Sequence, residues 1–174
     1  VNAITANGGT AISVQADVSK TSDVIRLFEE TKKAFGTLDI LVNNAGIYPA
    51  APIEEVTEES FHKLFNINVL GSLLTIKEAV KLFENKGGVI INTSSVQGYH
   101  PSPGILDYAV TKGAIITLTQ GLAKELSVPI VVLSATPTRT RVSGPIRPAA
   151  ERDACNRAMF STDRRVMSYS APDS

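Results

Sequence analysis

The apolar positions of this chain fall into two periods. Val24, Leu27, Phe28 and Thr31 recur at helical spacing, predicting a helix that starts at the capping run Thr21-Ser22-Asp23 and ends at Phe35, before Gly36. Phe61, Leu64, Phe65, Asn68, Val69, Leu73 and Ile76 predict a longer helix, opening at Thr57-Glu58-Glu59-Ser60 and running through Leu82. A third is predicted over Tyr108–Leu126, and Val1–Asn7 reads as the last turns of another, stopped by Gly8-Gly9. Short apolar runs separate the helices. Ala11–Ala16 predicts a strand with Ile12 and Val14 on one face. Leu38–Val42, Val89–Ile91 and Pro129–Leu133 are almost wholly apolar, the mark of buried parallel strands.

Strands alternating with helices imply βαβ units around a mostly parallel sheet. Ligands of such sheets bind beyond the carboxyl ends of the strands. Asp17, Asn44 and Ser95 all fall at such ends, so function is expected there. Beyond Thr136 the periods stop, and prolines, arginines and serines mix without pattern. The chain therefore divides into residues 1–135 and an atypical tail, 136–174, expected to be irregular.

Composition narrows the classes. The length of 174 residues suits one domain, 43% of it apolar with a formal net charge of zero. That balance hides an acidic body and a basic tail. Residues 1–135 hold nine Lys, one Arg and thirteen acids, whereas 136–174 hold seven Arg, no Lys and four acids. Overall neutrality argues against nucleic acid as the main partner. No apolar run approaches the ~18 residues of a membrane span, so none is expected, and no signal peptide opens the chain. One cysteine, Cys155 in the tail, excludes an internal disulfide and a cysteine metal cluster; the cytoplasm follows as the default compartment. His62 and His100 are the only imidazoles, so no metal site is expected, and His100 reads as a solvated loop residue. Glu54-Glu55 and Glu58-Glu59 form an acidic helix start that complements the macrodipole.

Tyr108 and Lys112 carry the chemistry. Four apart in a predicted helix, they share one face. An ammonium beside a phenol favours the ionised form, which makes the phenol usable as an acid/base near neutral pH. A Tyr-x-x-x-Lys spacing arises readily by chance, so its setting decides. Three further features precede it in order: Asn43-Asn44-Ala45-Gly46 after a strand, Asn68-Val69-Leu70-Gly71 in a helix, and Ser95 after a strand, thirteen residues before Tyr108.

Order, spacing and context together resemble the short-chain dehydrogenase/reductase family, over roughly residues 1–135. The resemblance implies an α/β fold with a Rossmann-like, doubly wound, mostly parallel sheet. It implies hydride transfer between NAD or NADP and a carbonyl or secondary alcohol, without a metal. Under it, Tyr108 is the catalytic acid/base, and Lys112 is its partner, which also binds the nicotinamide ribose. Ser95 orients the substrate oxygen and stabilises charge on it. Asn68 holds a water in a proton relay with Lys112. Asn44, Ala45 and Gly46 line the adenine-ribose side of the cofactor, and Asp17 and Val18 contact adenine. The implied partners are a small alcohol or carbonyl compound and further copies of the chain, in a dimer or tetramer packed through the helices matching Thr57–Leu82 and Tyr108–Leu126.

The sequence also departs from the family. The glycine-rich turn that cradles the pyrophosphate, the first two strands and the final strand have no counterpart, and the chain opens at Val1 inside a helical pattern. Truncation is the simplest account, and it leaves the edge of a buried strand open. After the strand ending at Leu133, Ala135-Thr136 stands where the family often has Pro-Gly. Thr138 or Thr140 is left as the candidate for contacting the nicotinamide carboxamide. The abrupt change from lysine to arginine fits a changed reading frame or foreign sequence. The reading is thus an NAD(P)-dependent oxidoreductase, the alternative being an inactive fragment that keeps only helix-mediated association.

Overall fold

The computed structural model describes residues 1–83, 87–126, 128–133, 141–143 and 166–169. Helices α1 (Asn2–Ala6), α2 (Thr21–Phe35), α3 (Glu58–Phe65), α4 (Gly71–Leu82) and α5 (Leu106–Glu125) accompany strands β1 (Ile40–Asn43), β2 (Val89–Thr93), β3 (Ile130–Leu133), β4 (Arg141–Ser143) and β5 (Val166–Tyr169). The strands form one sheet in the order β4-β3-β2-β1-β5. β5, β1, β2 and β3 run parallel, and β4 is antiparallel to β3. The mostly parallel α/β sheet expected from the alternating pattern is present.

Its apolar stripes build one core. Ile40 with Val89 and Leu41 with Ile90 are buried register partners, whereas the next pair, Val42 and Ile91, is half-buried. Val24, Leu27 and Phe28 of α2, Ile76, Ala79 and Leu82 of α4, and Ile130 of β3 close over them. Each of these side chains except Ala79 contributes about 1.5–3 kcal/mol by leaving water.

The helix expected from Thr57 to Leu82 begins as predicted. Thr57 Oγ1 accepts from Ser60 N at 3.1 Å, and Ser60 Oγ accepts from Thr57 N at 3.0 Å, a reciprocal capping box. It does not run on evenly. Asn66–Leu70 forms a single π-helical turn between α3 and α4. The wider turn shifts the helical phase and lies in the segment whose Asn68 is buried.

Two expectations are corrected. Ala11–Ala16 is not a strand. Val14 and Ala16 pack against the core while Ile12 is exposed, so the segment has an inward face. Among the described strands none pairs with it. The tail is also not wholly irregular: β4 and β5 lie beyond residue 135 and join the same sheet. β5 pairs with β1 from Ile40↔Val166 to Asn43↔Tyr169, covering the edge expected to stay open. Thr136, Thr138, Thr140 and Cys155 lie outside the described residues.

Candidate active site

The site grows from the carboxyl ends of β1 and β2. At the last positions of the shared register, Asn43 faces Asn92, and both are buried. Asn43 Nδ2 donates to Asn92 Oδ1 at 2.9 Å, Thr75 Oγ1 of α4 donates to Asn43 Oδ1 at 2.8 Å, and Asn92 Nδ2 donates to Thr119 Oγ1 of α5 at 2.9 Å. This polar ladder joins α4, β1, β2 and α5. Buried amides are costly unless paired, so the ladder fixes the relative placement of the four elements. Sequence reasoning passed over Asn92, Thr75 and Thr119. Asparagine inside an otherwise apolar strand was the available signal.

Just beyond the ladder, α5 is held against the end of β2. Ser94 Oγ donates to the Lys112 carbonyl at 2.9 Å, and Lys112 Nζ donates to the Thr93 carbonyl at 3.0 Å. Ser95 caps a short 3₁₀ turn, Val96–Gly98, by accepting from Gln97 N at 3.2 Å. That turn lies directly on α5: a Cβ at Gly98 would stand 2.8 Å from the Lys112 carbonyl carbon and 2.9 Å from Gly113 N. Only glycine permits this approach, which brings the backbone bearing Ser95 against the segment bearing Lys112.

Lys112 is 6% exposed, and burial pushes its pKa below the usual lysine value, because low-polarity surroundings penalise the ammonium. Its Nζ lies 5.6 Å from the centroid of the half-buried Tyr108 ring, within cation–π range. The expected proximity of phenol and amine on one helix face is therefore present.

Asn68 is buried in the π-helical turn, and its amide is fully engaged. Oδ1 accepts from Ile47 N at 2.8 Å, while Nδ2 donates to the Ile47 carbonyl at 3.0 Å and to Thr111 Oγ1 at 3.1 Å. The side chain thus clamps the loop after β1 to α5. Gly46 precedes that loop contact. A Cβ there would stand 3.2 Å from Asn68 Oδ1, closer than ordinary contact, and 3.7 Å from Lys112 Nζ, so glycine lets the loop lie against both side chains. Asn68, Gly46, Tyr108 and Lys112 therefore converge. Ala45 is buried in the core, and Asn44 is exposed beside it.

Asp17 and Val18 sit on the loop leading into α2. The Asp17 carboxylate accepts from Ser19 Oγ at 2.7 Å and from Ser19 N at 3.0 Å, and the hydroxyl bond chiefly lowers its pKa. Asp17 N donates to Asp23 Oδ2 at 2.8 Å, tying the loop to the first turn of α2. Val18 is buried, its Cγ2 2.7 Å from where a Cβ of Gly71 would lie, which accounts for the glycine in Asn68-Val69-Leu70-Gly71. Among the described residues, no group of three or more His, Cys, Asp or Glu could hold a metal ion, and no helix is long and apolar enough to cross a membrane.

A family model described as short chain dehydrogenase matches residues 1–151. The chain belongs to the short-chain dehydrogenase family. An uncharacterized oxidoreductase of Methylorubrum extorquens is 49% identical over 127 residues, 73% of this chain and 51% of that protein. A diacetyl reductase [(S)-acetoin forming] of Staphylococcus aureus is 41% identical over 114 residues, 64% of this chain and 44% of that protein. The chain spans about half the length of the curated relatives it matches. Among solved structures, a short chain dehydrogenase from Burkholderia cenocepacia in complex with NADP is similar at TM-score 0.74 and 31% identity, over 95% of this chain and 68% of that one. That likeness, with the mostly parallel sheet, makes the fold Rossmann-like, as expected for this family.

Proposed function

We propose that this chain carries the proton-handling site of an NAD- or NADP-dependent oxidoreductase that interconverts a carbonyl compound and a secondary alcohol. One observation carries the reading. The Lys112 amine is buried within 5.6 Å of the Tyr108 ring centroid, and Gly46 brings the loop after β1 alongside it. The similarity to an NADP-bound short chain dehydrogenase supports the cofactor class.

When bound, the nicotinamide supplies or accepts the hydride. The chain's own residues do the rest. Tyr108 passes the proton to or from the substrate oxygen, and Lys112 supports the charged phenol and binds the ribose hydroxyls. Ser95 Oγ holds the substrate oxygen as a placed donor. Asn68 serves the relay by fixing the loop and α5 on either side of Lys112. Asn44, Ala45 and Gly46 offer backbone along the cofactor, and the Asp17 carboxylate with the Val18 backbone offers partners for adenine. The catalytic set lies within residues 1–135, in a protein we place in the cytoplasm. A second copy of the chain is the partner for exposed apolar positions on the outer helices: Leu73 and Val80, seven apart on α4, and Val110 on α5.

Titration of the folded chain with NADH and NADPH, followed by thermal shift, tests the reading. Binding of at least one should raise the unfolding temperature in a concentration-dependent way. A folded sample that responds to neither contradicts it.

A further inference from the structure

Tyr48 stands outside the residues assigned so far, yet it touches the centre of the site. Its ring lies 4.8 Å from that of Tyr108, centroid to centroid, at an interplanar angle of 89°. Aromatic quadrupoles favour this edge-to-face arrangement. The residue nonetheless remains 58% exposed, so much of its surface is available to a ligand approaching the Tyr108 phenol.

The loop that carries Tyr48 is restrained on both sides. Upstream, the Asn68 amide engages both backbone polar groups of Ile47. Downstream, Ala51 N donates to the Gly104 carbonyl at 2.9 Å, tying the loop to the segment that leads into α5. Pro49 follows Tyr48 directly and confines its backbone to extended conformations. The root of the ring is therefore fixed relative to Tyr108.

We propose that Tyr48 is a specificity-determining residue, an aromatic wall that selects carbonyl compounds bearing a flat apolar substituent over small hydroxylated ones. The inference rests on the oxidoreductase reading above. A carbonyl compound bound at the Tyr108 phenol lies beside a pair of packed rings, of which Tyr48 is the exposed one. A flat apolar group gains by covering that ring. A hydroxylated group in the same place surrenders water without gaining a partner.

The test reads binding rather than turnover. The full chain is labelled with ¹³Cζ-tyrosine, and the Tyr108 signal is identified among the four tyrosines by Tyr108→Phe. Acetophenone and dihydroxyacetone are then titrated against the wild type, Tyr48→Ala and Tyr48→Phe. Acetophenone should shift the Tyr108 signal of the wild type at lower concentration than dihydroxyacetone. Tyr48→Ala should weaken acetophenone about fivefold to tenfold and leave dihydroxyacetone unchanged, whereas Tyr48→Phe should stay within about twofold of the wild type. Equal acetophenone affinity in Tyr48→Ala, no preference between the two probes, or no acetophenone effect at all would overturn the proposal. Failure to bind either nicotinamide cofactor would instead strike at the oxidoreductase reading and leave this result readable on its own.

Discussion

Asn68 grips Ile47 by both of its backbone polar groups, accepting from the N–H at 2.8 Å and donating to the carbonyl at 3.0 Å. The contact joins the π-helical turn to the loop after β1, two elements that no ladder hydrogen bond connects. It also explains why a buried amide occupies this position. The side chain acts as a piece of backbone, pairing both polar groups of Ile47.

Asn68→Ala should therefore destabilise the chain by about 2 kcal/mol, since it strands the two Ile47 groups and removes the bond that Thr111 Oγ1 accepts. Asn68→Asp should recover only part of the loss, because a carboxylate accepts from the Ile47 N–H but cannot donate to its carbonyl. Urea unfolding midpoints check both, and a loss under about 0.5 kcal/mol for Asn68→Ala would show that the clamp contributes little.

The polar ladder through Asn43 and Asn92 makes a second prediction. Asn92→Leu removes the bond that Asn43 Nδ2 donates to Asn92 and the bond that Thr119 Oγ1 accepts from it, in a site sealed from water, at a cost of about 1–3 kcal/mol. A double-mutant cycle with Asn43→Leu should show coupling of at least about 0.5 kcal/mol, because either change alone disrupts the same ladder. Additive effects would mean that the two amides act independently.

How far these features could be read from sequence differs by element. The helical stripes of α2 and α3 and the apolar runs of β1, β2 and β3 were legible because each buries a face whose period is local. Tyr108, Lys112 and Gly46 were legible because their order and spacing match a family. The π-helical turn was not, since one extra residue per turn barely disturbs a 3.6-residue pattern. The partnership of Asn43 with Asn92 depends on strand register, a long-range property that neither residue announces alone. Ala11–Ala16 has a strand-like sequence, but a strand exists only where another lies beside it. β4 and β5 escaped notice for the converse reason. They owe their assignment to pairing partners outside their own segments, Val131 of the preceding strand for β4 and the distant Leu41 for β5.

Burial of Lys112 predicts a pH effect with a definite sign. Its folded-state pKa lies below the ordinary 10.5, so between that lowered value and 10.5 the unfolded chain binds the proton that the folded chain has released. Stability from this group accordingly rises with pH through that window, and the full cost of holding the ammonium out of water is present below it. Lys112→Met removes the titration. At pH 7 the variant should fold with stability within about 1 kcal/mol of the wild type, as relief from desolvation offsets the lost bond to Thr93. The difference, wild type minus variant, should grow in favour of the wild type as pH rises. A difference independent of pH would contradict the assigned burial of the amine.

The central claim is that Tyr108 handles the proton while a nicotinamide carries the hydride. Initial rates of NADPH- or NADH-dependent carbonyl reduction by the wild type and by Tyr108→Phe test it most directly, with cofactor affinity measured in parallel. The account predicts measurable turnover by the wild type, a fall of about 10²–10⁴-fold in Tyr108→Phe, and cofactor binding within about threefold of the wild type. Turnover retained by Tyr108→Phe, or none from a folded wild type that binds cofactor, would contradict it.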